Sequence, residues 1–152
     1  MKNFDVIVIA SPSELPLVRG VLEQRGIDTN VRIIITGVGG INVYRALHEL
    51  PKDTNVLNIG YCGSPDLPIN AQLEIGKCDL SHKVDYSEPV FILDESNPNV
   101  CHTLTDFGTS GEAGCVYDME LAFICAMGFN VQAIKVVSDN MDLDEYEQNI
   151  KD

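Results

Sequence analysis

The chain has 152 residues, 45% of them apolar, and no apolar stretch near the roughly 20 residues a membrane helix needs, so composition predicts one soluble globular domain, residues 1–152. Its formal charge of −13, from 23 acidic against 10 basic residues with no Lys/Arg cluster, argues against a nucleic acid partner and against a membrane surface, both of which need a basic face. Five cysteines (Cys62, Cys78, Cys101, Cys115, Cys125) are scattered without a Cys-x-x-Cys or a paired histidine spacing; they read as reduced, small apolar side chains, not as a disulfide framework or a zinc site. The chain enters a strand directly from Met1-Lys2-Asn3, without a signal-like leader, which predicts a cytoplasmic protein.

Phe4 to Ala10 is a β-branched apolar run, broken by Ser11-Pro12-Ser13, with Ser13 the expected helix N-cap and Glu14 in the first turn, where the dipole favours a carboxylate. That helix runs to about Arg25 and stops at Gly26; Val31 to Thr36 is the next strand. Thr36-Gly37-Val38-Gly39-Gly40 forms a loop into a helix from about Asn42 to Leu50, closed by Pro51. Asn55 to Ile59 is a third strand, expected to end in a loop from Gly60 to Pro65. From Ala71 to Phe107 only short runs occur (Leu73 to Ile75, Val90 to Leu93, Val100 to Leu104), which read as strands of an antiparallel or mixed extension.

Leu121 to Met127 reads as a buried helix ended by Gly128, Val131 to Val137 as a strand of a parallel sheet, and Leu143 to Ile150 as a short helix. A helix leading down and a strand leading back up bring Glu120 and Asp139 to the same edge, although nineteen positions separate them. Ser11 to Glu14, Thr36 to Asn42, Gly60 to Ser64 and Ser138 to Asp142 each follow an apolar strand and are expected on that rim, where open α/β sheets bind ligands. The pattern is that of an α/β fold with a mixed, mostly parallel central sheet flanked by helices.

Each acid taken singly has an ordinary explanation: Glu14 as a first-turn carboxylate, Asp139 as a strand-to-loop residue, Glu120 as a helix residue. Three acids on one rim beside glycine loops do not, because structural acids have no reason to converge. A dinucleotide reading of Gly37, Gly39 and Gly40 fails at the sixth position, which is Asn42, and lacks an acid at the end of the next strand. His48, His82 and His102 share no spacing and read as surface or satisfied residues. Phe107, Met119 and Met141, taken alone, read as core.

Several of these segments, in order, resemble the nucleoside phosphorylase and nucleosidase superfamily, most closely its methylthioadenosine/S-adenosylhomocysteine nucleosidase branch. Ile9-Ala10-Ser11-Pro12-Ser13-Glu14-Leu15 looks like the family's opening, Thr36 to Asn42 like its Gly-rich turn, and Asn58-Ile59-Gly60-Tyr61-Cys62-Gly63 like its loop beside the base. Val116-Tyr117-Asp118-Met119-Glu120 resembles its Met-Glu element and Val136-Val137-Ser138-Asp139-Asn140-Met141-Asp142 its Ser-Asp-x-x-Asp element. The resemblance implies a three-layer α/β/α fold and cleavage of a purine nucleoside's N-glycosidic bond, with a 5′-modified adenosine the expected substrate. It implies Asp139 as the acid that protonates the purine at N7 and Glu14 as the activator of water. Glu120 would hold the ribose hydroxyls and Met119 would pack on the sugar, with Ser138 supporting Asp139, Phe107 stacking on the purine and Gly63 lying beside the base. It implies a homodimer and no cofactor or metal. The chain is shorter than a typical member: one strand stands between Gly26 and Thr36, the segment from Lys77 to Val100 is compressed, and the final helix is brief.

The chemistry passes through an oxocarbenium-like transition state, so a site must neutralise the departing base, deliver a nucleophile and hold the sugar. Asp139 must then be protonated, with Glu120 the expected neighbouring charge, while Glu14 and Glu120 stay ionised. A phosphorylase would need arginine donors, and the Ser11–Glu14 loop has none; Arg45 is the nearest alternative, and Arg19 lies further along its helix. Hydrolysis is the favoured expectation. Phosphorolysis, or a reduced member that binds a nucleoside without turnover, are the alternatives.

Overall fold

The structure is a computed structural model and describes residues 3–81, 90–108 and 110–150; His82 and the middle of the compressed segment lie outside the described residues. In chain order the elements are β1 (Val6–Ile9), a 3-10 turn (Pro12–Glu14), α1 (Leu15–Arg25), β2 (Arg32–Ile35), α2 (Gly40–Leu47), β3 (Asn55–Gly63), β4 (Gln72–Glu74), β5 (Lys77–Leu80) and β6 (Val90–Ile92). They continue through β7 (Val100–Thr103), β8 (Val116–Asp118), α3 (Leu121–Ala126), β9 (Asn130–Asp139) and α4 (Leu143–Ile150).

The strands form one mixed sheet. β1 pairs in parallel with β2 and β3, β3 in parallel with β9, and β9 antiparallel with β4. A second run, β8-β7-β5-β6, joins the first through an antiparallel bridge between Gly63 of β3 and Tyr117 of β8. Just before that bridge the β3–β9 register slips, so that Cys62 faces Val137 but Gly63 faces Asp139. A bulge of this kind bends a strand and re-aims its side chains. Here it turns the end of β9 toward the junction of the two strand runs.

The β1 sequence is apolar without alternation because both of its faces are covered. Ile7 and Ile9 pack with Val18, Val21 and Leu22 of α1, whereas Val6 and Val8 pack with Val43 and Leu47 of α2 and Ile124 of α3. Helices on both faces make the three layers α/β/α. At the end of α1, Gly26 takes φ 65°, and the following Ile27 N–H returns to the Leu22 carbonyl at 3.0 Å, closing the helix with a left-handed cap. α2 and α3 approach closely: a Cβ on Gly40 would stand 2.7 Å from the Phe123 ring.

Three local expectations change. Gly60 to Gly63 is strand, not loop, because β3 keeps a full ladder with β9 on its way to the junction. Ser11, not Ser13, caps the first helical turn: its Oγ accepts from the Ser13 N–H at 3.1 Å while Glu14 Oε1 accepts from the Ser11 N–H at 3.3 Å. This is a capping box, in which the 3-10 turn shifts the cap two residues upstream. β5 and β8 were not anticipated, since four and three residues interrupted by Asp79 and Asp118 carry too little apolar pattern.

Candidate active site

A cavity of about 270 Å³ opens at the carboxyl ends of β1, β3 and β9. Glu14, Glu120 and Asp139 all line it, with Gly63, Phe107 and Met119. Ser138 does not: it is buried behind the wall, and its hydroxyl donates to Asp139 Oδ1 at 2.8 Å. Arg19 and Arg45 are exposed and stand away from the cavity, and among the described residues its lining holds neither lysine, arginine nor histidine.

Backbone N–H groups hold Glu14. Oε1 accepts from the Ala10 N–H at 2.8 Å, and Oε2 from the Tyr61 N–H at 2.7 Å. The capping role and the position in the cavity coincide, because the box folds the carboxylate back over the end of β1. Gly60 makes room for it: a Cβ there would meet Glu14 Oε2 at 2.8 Å. Burial pushes the Glu14 carboxyl above its usual range, with Lys135 and the N–H groups of Tyr61, Ala10 and Ser11 pulling back.

Glu120 closes on the glycine turn. Its Oε2 accepts from the Gly39 N–H at 2.9 Å, so the amide cradle before α2 holds a carboxylate of its own chain. Glu120 lines the cavity, and its Oε1 has no hydrogen-bond partner among the described residues. Burial, then the charge of Asp118, push the Glu120 carboxyl up to about 7. Desolvation outweighs Lys135 and the Gly39 N–H donor, so the Glu120 carboxyl lies above its usual range.

The sign of the resulting pH dependence follows from linkage. A carboxyl whose folded value lies above the unfolded 4.5 binds more protons in the native state between the two, so native stability falls as pH rises through that window. Urea denaturation should accordingly give lower stability at pH 7.5 than at pH 5, and Glu120→Gln should flatten that slope by on the order of 3 kcal/mol. A variant with an unchanged slope would place the titration elsewhere.

Asp139, the last residue of β9, accepts from the Met141 N–H at 2.9 Å through Oδ2 and from Ser138 through Oδ1. Burial nevertheless raises its carboxyl, and the charges of Glu145 and Asp142 add to the rise. These two acids stand at the start of α4, where Asp142 Oδ1 accepts from the Glu145 N–H and Glu145 bonds the Asn140 N–H. Gly63 lies against this pair: a Cβ would meet Met141 Sδ at 2.8 Å and Asp139 Oδ2 at 3.0 Å.

Beneath the cavity lies a group that sequence reasoning missed. Lys135, 1% exposed in the middle of β9, pairs with Asp118 at 2.8 Å. Asp118 Oδ2 also accepts from the Leu121 N–H at 2.8 Å, Oδ1 takes the Thr103 hydroxyl at 2.6 Å, and Thr103 Oγ1 in turn accepts from the Ala122 N–H at 2.9 Å. Burial alone would raise the Asp118 carboxyl; Lys135, Thr103 and Leu121 outweigh it and hold it low. Burial would likewise lower the Lys135 ammonium, but Asp118 and Glu120 keep it charged. The available signal was a lysine inside the apolar run Ala133 to Val137, where a fully buried strand has no place for an unpaired charge.

No protein-family model matches the chain, and no curated protein sequence matches it. Solved structures do. The 5′-methylthioadenosine/S-adenosylhomocysteine nucleosidase of Neisseria meningitidis, in complex with methylthio-immucillin-A, superposes on 96% of this chain and 91% of its own, with TM-score 0.71 and 17% identity. The Helicobacter pylori nucleosidase of the same name aligns over 99% and 93%, with TM-score 0.68 and 17% identity. The futalosine hydrolase of Helicobacter pylori aligns over 98% and 91%, with TM-score 0.69 and 18% identity. This chain has the nucleosidase fold. At 17–18% identity the likeness is one of backbone architecture, and what the cavity does has to be argued from its own side chains.

Proposed function

We propose that the protein is an N-ribosyl hydrolase that cleaves the N-glycosidic bond of a purine nucleoside, with a 5′-modified adenosine such as methylthioadenosine or S-adenosylhomocysteine as substrate. The observation that carries this reading is the convergence of Glu14, Glu120 and Asp139 on one cavity without a cationic lining residue. A cavity for inorganic phosphate would need donors such as arginine, and three carboxyls would oppose the anion.

In this reading Asp139, its carboxyl raised by burial and by Glu145 and Asp142, carries the proton that goes to purine N7 as the C1′–N9 bond breaks. Water attacks C1′, and Glu14 takes its proton; the products are the free base and the 5′-substituted ribose. Glu120, with Oε2 fixed by Gly39, accepts ribose hydroxyls through Oε1. Met119 packs on the sugar, Phe107 stacks on the purine, Gly63 leaves space beside the base, and Ser138 orients Asp139 from behind. The Lys135–Asp118 pair keeps the floor of the cavity in place, and Lys135 lowers the cost of ionising Glu14 and Glu120.

The similarity to nucleosidases solved with nucleoside analogues supports the substrate class. Five cysteines free of disulfides support a reducing, cytoplasmic setting. The exposed apolar side chains Ile35, Val38, Ile41 and Tyr44 cluster on β2, the glycine turn and α2, with Val38 at the cavity itself; a second copy covering them would make a homodimer.

The test is to incubate the protein with methylthioadenosine, S-adenosylhomocysteine, adenosine, inosine and futalosine, with and without phosphate, and to follow base release. Release of adenine from the 5′-thio substrates at the same rate in both conditions is expected. Release only with phosphate would make the protein a phosphorylase; binding without release would make it a non-catalytic nucleoside binder.

A further inference from the structure

Beside Tyr117, and outside the lining of the cavity, three side chains of different chemistry converge. A nitrogen of His102, a carboxylate oxygen of Glu112 and the sulfur of Cys115 all lie within 4.8 Å of one another. Two ligands of one tetrahedral zinc ion, each about 2.0–2.3 Å from it, stand roughly 3.3–3.8 Å apart, so side-chain adjustments of about an ångström close the set. The geometry points to a zinc-type divalent metal site formed by His102, Glu112 and Cys115, with its fourth position open to water.

The fold builds this site from two sides. Glu112 to Cys115 is a turn, in which the Cys115 N–H returns to the Glu112 carbonyl at 3.3 Å and Gly114 takes φ 80°, setting the two side chains together. The turn lies flat on Tyr117: a Cβ on Gly111 would stand 2.3 Å from the ring, and the Tyr117 hydroxyl accepts from the Glu112 N–H at 2.7 Å. His102 on β7 is the register partner of Tyr117 and lies against the same ring, tilted by 37° with centroids 5.2 Å apart.

A second observation points independently to a metal. His102 Nδ1 lies 2.6 Å from Asp79 Oδ1. With Nδ1 donating to the Asp79 carboxylate, a neutral imidazole keeps Nε2 as the nitrogen that can take a metal. A carboxylate behind the non-ligating nitrogen is the arrangement that orients metal-bound histidines and raises their basicity. Imidazole, thiolate and carboxylate together favour zinc or cobalt over magnesium or calcium, which prefer all-oxygen shells. An ion there would pin the 110–115 turn onto β7 and β8 and so stiffen Tyr117, which also lines the cavity. The inference rests on this cluster alone and stands or falls separately from the hydrolase reading.

Titrating the metal-stripped full chain with Co²⁺ should produce a thiolate-to-cobalt charge-transfer band that saturates at one equivalent and is displaced by Zn²⁺. Zinc at a hundredfold excess over its dissociation constant should raise the melting temperature by roughly 5–10 °C, with Mg²⁺ and Ca²⁺ without effect. Cys115→Ser should abolish the band, and His102→Ala should weaken binding at least tenfold. Asp79→Asn should keep the band but weaken binding about tenfold, as loss of an orienting partner does. Absence of the band in the wild-type protein, or a band that survives in Cys115→Ser, would overturn the site.

Discussion

Replacing Asp139 by Asn is expected to lower nucleoside hydrolysis by about 10²–10⁴-fold, the usual share of a positioned general acid, without unfolding the protein. The amide keeps the size of the carboxyl and its oxygen can still receive the Ser138 hydroxyl, so the packing against Gly63 and Met141 survives at the cost of the Met141 N–H bond. It cannot deliver a proton to the base. Because burial, Glu145 and Asp142 raise the Asp139 carboxyl, Glu145→Gln is a milder companion: the acid loses part of its lift, and the alkaline limb of the rate profile moves to lower pH. Steady-state kinetics with methylthioadenosine, together with a melting curve for each variant, measures both effects. An Asp139→Asn protein that turns over at the wild-type rate would remove Asp139 from the acid's role.

Lys135→Met should cost about 3–5 kcal/mol of stability, the range seen when one member of a buried ion pair is deleted and its partner is left charged. Methionine fills the volume in β9, so the loss is electrostatic: Asp118, fully enclosed, keeps the Thr103 and Leu121 donors but loses its counter-ion. A second effect separates this from a simple packing defect. Lys135 lowers the carboxyls of both Glu14 and Glu120, so in its absence both rise, and the acidic limb of kcat/KM should move to higher pH as Glu14 becomes harder to ionise. Urea denaturation at neutral pH and a pH–rate profile are the measurements. A stability change below about 1 kcal/mol would mean that water or relaxation already screens Asp118.

The order of elements was legible because it depends on local pattern. A doubly buried strand such as β1 shows as an unbroken β-branched run, Gly26 marks the end of α1, and α4 lies where Leu143 to Ile150 was read as a helix. Strands β5 and β8 were not legible, since their apolar content is slight and their stability comes from neighbours remote in sequence. Gly60 to Gly63 misled for a related reason: glycines that read as loop are strand here, small because Glu14, Met141 and Asp139 press against them.

What the sequence determined by itself was the alternation of strand and helix, the lack of a basic face, and three acids each placed at the end of an apolar element, because these depend on spacing along the chain. Only the tertiary structure decided their electrostatics. The charges that lift Asp139 come from α4, the ammonium that steadies Glu14 and Glu120 comes from the middle of β9, and the His102–Glu112–Cys115 cluster joins a strand to a distant turn. The field at a buried carboxyl depends on distance and desolvation in three dimensions, and neither is encoded in the separation of residues along the chain.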